Sequence, residues 1–60
     1  MDIKIKPIGK LFTRYILEFE GFYWSGEGWV PEWHKARVYD DTNDAKMDRM
    51  FLIEGEGPNS

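Results

Sequence analysis

The sequence predicts a small α+β domain in which one helix packs on a face of an antiparallel sheet of three to five short strands. Three observations predict this class. Residues 13–19 are β-prone with period-two alternation, an aromatic run follows a Glu-Gly pair, and residues 45–51 carry apolar side chains at helical spacing. Sixty residues allow one domain. We assign it to residues 1–57, with residues 58–60 as a frayed tail.

The first two strands are predicted from alternation. Isoleucine and lysine alternate over residues 3–6, and Pro7 suits an edge or a strand end because proline has no N–H to donate. The best strand candidate is residues 13–19, which would place Tyr15, Leu17 and Phe19 on one face and Ile16 on the other.

Two turns follow this strand. Glu20-Gly21 lies between two β-prone runs and predicts a tight hairpin that pairs residues 15–19 with residues 22–24. Residues 25–28 contain two glycines and predict a second turn, followed by a short returning strand at Trp29 and Val30. Residues 31–35 then form a connector, with one helical turn that begins at Pro31, and residues 37–39 are a short β-prone run.

A helix is predicted over residues 43–50, capped by Asp41 or Thr42. Met47, Met50 and Phe51 follow one another at i, i+3 and i+4, and we expect this stripe to pack against the sheet. Residues 51–53 could extend the helix or begin a last strand, and we favour a strand from about residue 52, because two glycines end the regular pattern nearby.

Composition narrows the possible functions. There are no cysteines, which excludes disulfides and thiolate metal sites and favours a cytoplasmic location. No run approaches the roughly 20 apolar residues of a membrane helix, so we expect no membrane partner. The net charge is −3, and the excess acids lie in residues 31–60, so a nucleic-acid partner is not expected.

Aromatic residues make up 17% of the chain, which is more than a thin core readily buries. We expect two of the three tryptophans to join the core and Trp33, in the connector, to be exposed. Exposed Trp side chains anchor protein interfaces. The predicted binding surface therefore contains Trp33, at least one aromatic residue of the hairpins and nearby basic residues, and its candidates are Tyr23, Trp24, Trp29, Trp33, His34 and Arg37.

The run Tyr23-Trp24-Ser25-Gly26-Glu27-Gly28-Trp29, followed by Ala36-Arg37-Val38-Tyr39 and then Ala45, resembles a pattern in small uncharacterised proteins of phages and prophages. Those chains carry an aromatic–aromatic–x–Gly–x–Gly–Trp hairpin, a short strand and an acid-capped helix. The resemblance covers residues 15 to 50 and implies an architecture and a phage or bacterial origin. It carries over no activity.

The remaining polar residues do not form a pattern typical of a metal site or a catalytic site. The acidic cluster that starts at Asp40 lacks the central glycine and terminal glutamate of a calcium loop, and we interpret Asp48 as a solvated side chain. His34 is the only histidine. The sequence offers it neither the further histidine or cysteine ligands of a zinc site nor the nucleophile and orienting residue that a general base needs. Two of the three residues Glu18, Glu20 and Glu27 could form the carboxylate pair that glycosidases use. So small a chain, however, offers no deep cleft around such a pair. We expect no metal and no cofactor.

The sequence thus favours a non-enzymatic protein-interaction module, a phage- or bacterium-encoded binder or inhibitor of a host protein, that uses an aromatic patch. Its partner would be another protein or its own copy. Two alternatives stay open: a structural homo-oligomer, such as a homodimer, that completes its core by self-association, and a carbohydrate-binding accessory module.

Overall fold

A computed structural model describes residues 2–55 of the chain, and these form one antiparallel sheet and one helix. The sheet has four strands in the order β1-β2-β3-β4, so each strand pairs with the next one along the chain. This arrangement confirms the predicted α+β fold. The elements are β1 (Lys4–Ile8), β2 (Arg14–Phe19), β3 (Phe22–Trp24), β4 (Trp29–Val30), a 3₁₀ helix (Trp33–Lys35) and α1 (Thr42–Glu54). The predicted tail at residues 58–60 lies outside the described residues.

The hairpin between β2 and β3 forms where the sequence predicts it. Phe19 pairs with Phe22, and the two residues between them both have positive φ, 50° at Glu20 and 85° at Gly21. Two-residue loops of this kind match the right-handed twist of the strands that they join. The carboxylate of Glu18 also accepts a hydrogen bond from the N–H of Gly21 at 2.9 Å.

β1 is an edge strand, which explains why it tolerates a proline. Ile5 lies opposite Leu17 and Pro7 lies opposite Tyr15 on β2. No other strand pairs with β1 among residues 2–55, so the missing N–H of Pro7 removes no ladder hydrogen bond on the outer edge. Ile3, just before the strand, is buried.

The core lies between α1 and the sheet face that carries Leu17. Its fully buried members come from the start of the chain, β2, the segment before the helix, and the helix itself: Ile3, Leu17, Tyr39 and Ala45. Half-buried side chains surround them, namely Ile5, Tyr15, Phe19, Trp24, Trp29 and Leu52. Four of the five core side chains that come from β2, β3 and β4 are aromatic.

The segment before the helix is hydrogen-bonded to the sheet at two residues: the N–H of Arg37 donates to the carbonyl oxygen of Trp24 at 2.8 Å, and Tyr39 pairs with β2. Tyr39 forms an isolated antiparallel bridge with Tyr15, in which each N–H donates to the other residue's carbonyl oxygen at 2.8 Å. The β-prone run at residues 37–39 is therefore a single bridge and not a strand. The predicted helical turn in the connector is present as the 3₁₀ helix, which begins at Trp33 rather than at Pro31.

α1 is longer than predicted. It begins at Thr42, and Asp41 is its N-cap, with Oδ1 accepting from the N–H of Asn43 at 3.0 Å. It continues to Glu54, so the expected strand from residue 52 is wrong. No glycine or proline interrupts residues 42–54, and Leu52 contacts the core from within the helix, so nothing stops the helix before Gly55.

The expectation that Met47 and Met50 face the sheet is also wrong. Their side chains are 61% and 59% exposed. The helix packs through Ala45 and Leu52 instead, and these positions lie about 140–220° around the helix axis from the two methionines. Ala45 is small enough to let the helix approach the aromatic-rich sheet closely, which a methionine at the contact would prevent.

Candidate binding surface

Two large apolar side chains project from the loop that joins β1 to β2. Leu11 is 91% exposed and Phe12 is 76% exposed. Gly9 shapes this loop, because its φ is 97° and a Cβ built there would lie 2.2 Å from the carbonyl oxygen of Phe12. Only glycine combines that backbone conformation with such a close approach. The loop is therefore held in a turn that presents Leu11 and Phe12 outward.

Trp33 meets this loop across an open groove. The 3₁₀ helix places Trp33 with its side chain 59% exposed, as predicted, and Val38 follows on the same wall. The groove has a volume of about 740 Å³ and mostly apolar walls. We call it the apolar groove, and its lining residues are Ile8, Gly9, Lys10, Leu11, Phe12, Arg14, Trp33 and Val38.

The charged residues that line the apolar groove are both basic. Arg14 forms an exposed ion pair with Asp40, with Nε and Oδ1 3.5 Å apart. Lys10, on the loop itself, has no carboxylate within ion-pair distance in residues 2–55. Among residues 2–55, Lys10 thus leaves one uncompensated positive charge on the rim of the groove, although the chain as a whole is acidic.

Trp24 and Trp29, two of the predicted site residues, lie with the core. They are directly opposite on β3 and β4, with ring centroids 5.5 Å apart in an edge-to-face contact. Phe19 extends the cluster, with its ring 5.8 Å from that of Trp29. All three rings pack against the core. This is the fate that the sequence predicted for two of the three tryptophans.

The remaining predicted site residues lie in different places. Tyr23 is half-buried and shares its sheet face with Glu18 and Val30. His34 is exposed and lies edge-on to Trp33, with ring centroids 6.1 Å apart. Arg37 is directed towards the helix and not towards the apolar groove. Of the six predicted residues, Trp33 alone lines the groove.

Arg37 takes part in a contact that holds α1 to the sheet. The hydroxyl of Tyr39 donates to Asp48 at 2.6 Å, and the Arg37 guanidinium lies 3.9 Å from the same carboxylate oxygen and 5.7 Å from the centroid of the Tyr39 ring. Burial raises the pKa of Tyr39 above its ordinary value, and the hydrogen bond and charge of Asp48 raise it further, against an opposing effect from Arg37. The expectation that Asp48 is merely solvated is wrong.

Sequence reasoning missed Leu11 and Phe12. A signal was available, since residues 9–13 join two β-prone runs and contain glycine, as a hairpin loop does. Such loops are usually polar. Two large apolar residues at a loop tip are therefore an exception to this pattern.

Residues 2–55 contain neither a candidate metal cluster nor a membrane-length helix. No group of three or more histidine, aspartate or glutamate side chains in this part of the chain is arranged to hold a metal ion. None of its helices is both long and apolar enough to span a bilayer.

Comparisons with known proteins returned nothing that matches this chain, whether among family models, curated proteins or solved structures. The resemblance to small phage proteins therefore stays a prediction.

Proposed function

We propose that the chain is a small non-enzymatic protein-interaction module that binds another protein through the apolar groove. One observation carries this proposal: Leu11, Phe12 and Trp33, each more than half exposed, lie around a single concave surface. Scattered exposed apolar residues are normal, but a contiguous group on so small a domain usually marks a contact site. A phage or bacterial origin, with a host protein as the target, is part of the same proposal.

The groove also suggests the chemistry of its partner. Its apolar walls favour aliphatic or aromatic side chains, and the positive charge of Lys10, which has no ion-pair partner within residues 2–55, favours a carboxylate beside them. The preferred ligand is thus a peptide segment in which apolar residues are flanked by aspartate or glutamate.

A carbohydrate ligand is less well supported. Sugars bind to aromatic platforms, but their hydroxyl groups also need polar side chains for orientation. The groove offers the side chains of Lys10 and Arg14, and Arg14 is already paired with Asp40. This imbalance between apolar and polar lining favours a protein partner.

A peptide-selection experiment tests the proposal. A library of displayed random peptides would be selected for binding to the wild-type chain. The selected peptides would then be synthesised and titrated by isothermal calorimetry. We expect them to be enriched in apolar and acidic residues, and Trp33→Ala or Leu11→Ser to weaken binding at least about tenfold, since residues at the centre of an interface dominate its affinity. Lys10→Glu should also weaken binding, and more strongly at low salt.

Phe22→Ala is the matched control. Phe22 is also an exposed aromatic residue, at 46%, but it lies at the β2–β3 hairpin and does not line the groove. Its loss should leave peptide affinity unchanged. Peptides that bind equally well to the Trp33→Ala and wild-type chains, both shown to be folded by circular dichroism, would refute the groove as the binding surface.

A further inference from the structure

The helix carries a second apolar stripe on the side that faces away from the sheet. Met47, Met50 and Phe51 are each between 59% and 70% exposed. Because Ala45 and Leu52 make the contact with the core, the two methionines point outward. We call this surface the outer helix face, and it comprises Asn43, Lys46, Met47, Met50, Phe51 and Glu54.

The spacing on the outer helix face is that of a helix–helix interface. Asn43, Met47, Met50 and Glu54 follow one another at intervals of four, three and four residues. This is the alternation of a and d positions by which two helices pack along a seam. The seam runs from Asn43 to Glu54, which is roughly 17 Å along the axis of this 13-residue helix.

We propose that the outer helix face binds a second copy of the same chain, with the two helices antiparallel about a two-fold axis. In this arrangement Met47 of one copy packs beside Met50 of the other, and the same contact is repeated by symmetry. The methionine layers form the centre of the interface. At each end, Asn43 of one copy lies opposite Glu54 of the other.

Charge selects this orientation. In the antiparallel pair, Glu54 of each copy lies next to the Asn43 amide and within reach of the Lys46 ammonium of the other copy, so both ends of the seam are complementary. A parallel pair would bring the two Glu54 carboxylates together, which is destabilising. The antiparallel arrangement also places the positive end of each helix dipole beside the negative end of its neighbour.

Within one chain these charged groups are free to serve such a contact. Lys46 and Glu54 are both exposed and eight residues apart on the helix, about 12 Å along its axis. Neither belongs to an ion pair within residues 2–55. Their opposite charges therefore meet across a two-fold axis and not within the chain.

The outer helix face is small for a dimer interface. Three large apolar side chains and their polar neighbours bury on the order of 400–500 Å² per copy, about half of the roughly 800 Å² per partner in a standard interface. The dimer should therefore be weak and transient.

Sedimentation equilibrium from about 10 μM to about 2 mM tests this inference. The wild-type chain should shift from monomer to dimer over that range. Met50→Lys places a charge at the centre of each methionine layer and should abolish dimerisation. A chain that stays monomeric at every concentration, or a Met50→Lys chain that dimerises like the wild type, would overturn the proposal.

A charge swap tests the orientation. Lys46→Glu and Glu54→Lys each create two like-charge contacts across the axis and should weaken the dimer several-fold. The double variant restores opposite charges and should recover most of the wild-type affinity. Both single substitutions suit the helix dipole of the monomer, so weaker dimerisation would not reflect an unfolded helix. Failure of the double variant to recover affinity would refute the antiparallel pair.

Trp33→Ala separates this inference from the proposed function. It should leave the monomer–dimer equilibrium unchanged, because Trp33 lines the apolar groove and not the outer helix face. Conversely, Met50→Lys should leave peptide binding to the groove intact. Loss of the dimer on substitution of Trp33 would assign self-association to the groove and overturn the helix pair.

Discussion

The Tyr39 hydroxyl lies 2.6 Å from the Asp48 carboxylate and donates a hydrogen bond to it. Tyr39 is also bonded through its backbone to Tyr15 on β2. One residue therefore connects the centre of the sheet to the middle of α1. In a core this thin, a directional contact of this kind helps to determine where the helix lies on the sheet.

Removing the Tyr39 hydroxyl should destabilise the fold. Tyr39→Phe keeps the buried ring but leaves the Asp48 carboxylate without its donor, and we expect a loss of about 1–2 kcal/mol in the free energy of unfolding. Urea unfolding followed by tryptophan fluorescence measures this loss. Tyr23→Phe is the control, since the Tyr23 hydroxyl has no hydrogen-bond partner within residues 2–55. Equal effects of the two substitutions would mean that the bond to Asp48 contributes nothing.

Stability should fall in alkaline solution because of the same residue. Below about pH 10, Tyr39 holds its proton in both the folded and the unfolded chain, so its contribution is complete. Above that pH the unfolded chain releases the proton, whereas burial and Asp48 keep the pKa of the folded chain's Tyr39 higher. The free energy of unfolding should then fall with a slope of up to about 1.4 kcal/mol per pH unit from this group.

Urea midpoints measured between about pH 8 and pH 11 test this dependence. Tyr39→Phe should show a shallower decline than the wild-type chain, because the titrating group is absent. Parallel curves for the two chains would contradict the assignment of the raised pKa to a stabilising contact.

The turn at Glu20 and Gly21 should depend on the left-handed backbone conformation of Gly21. A Cβ at Gly21 would meet no atom within 4 Å, yet its φ is 85°. Gly21→Ala should therefore cost about 1–2 kcal/mol through the left-handed conformation and not through a clash. Gly28→Ala is the matched control, since its Cβ also meets open space and its φ lies outside that region. We expect it to be neutral or slightly stabilising in thermal unfolding. A neutral Gly21→Ala would contradict this account of the turn.

Truncating a side chain in the core and truncating one on the outer helix face should have very different effects on stability. Leu17 is fully buried, so Leu17→Ala should cost about 2–5 kcal/mol, a large part of the roughly 3–9 kcal/mol expected for a chain of this length. Met50→Ala, at concentrations where the chain is monomeric, should change stability by no more than about 0.5 kcal/mol. A large loss for Met50→Ala in dilute solution would place the methionine in the core after all.

The hairpin between β2 and β3 could be predicted from the sequence because its loop is specified locally. Glu20 and Gly21 are the whole loop, and a two-residue loop leaves the flanking strands little choice of register. The start of α1 was equally readable, since the cap is made by Asp41 within the first turn. The exposure of Trp33 could be predicted too, since a single helical turn in a connector offers no extended face to bury it.

The apolar groove could be predicted only in part. Trp33 was recognised, but its neighbours Phe12 and Val38 are 21 residues before it and five residues after it, and the sheet brings them together. A groove between separate segments exists only after the strands have paired. The tryptophan content of the sequence therefore indicated an exposed aromatic surface but did not identify the other residues that line it.

The rotation of α1 was decided by tertiary structure alone. The helix has two apolar stripes, one with Ala45 and Leu52 and one with Met47 and Met50, and periodicity does not say which faces the sheet. The larger side chains suggested the second stripe. The sheet already presents the bulky aromatic rings of the hairpins, however, so the small side chain of Ala45 allows the closer approach, and the bond between Tyr39 and Asp48 holds the helix in that rotation. Local sequence thus determines where the strands turn and where the helix begins, whereas packing against the completed sheet determines which helix face stays exposed.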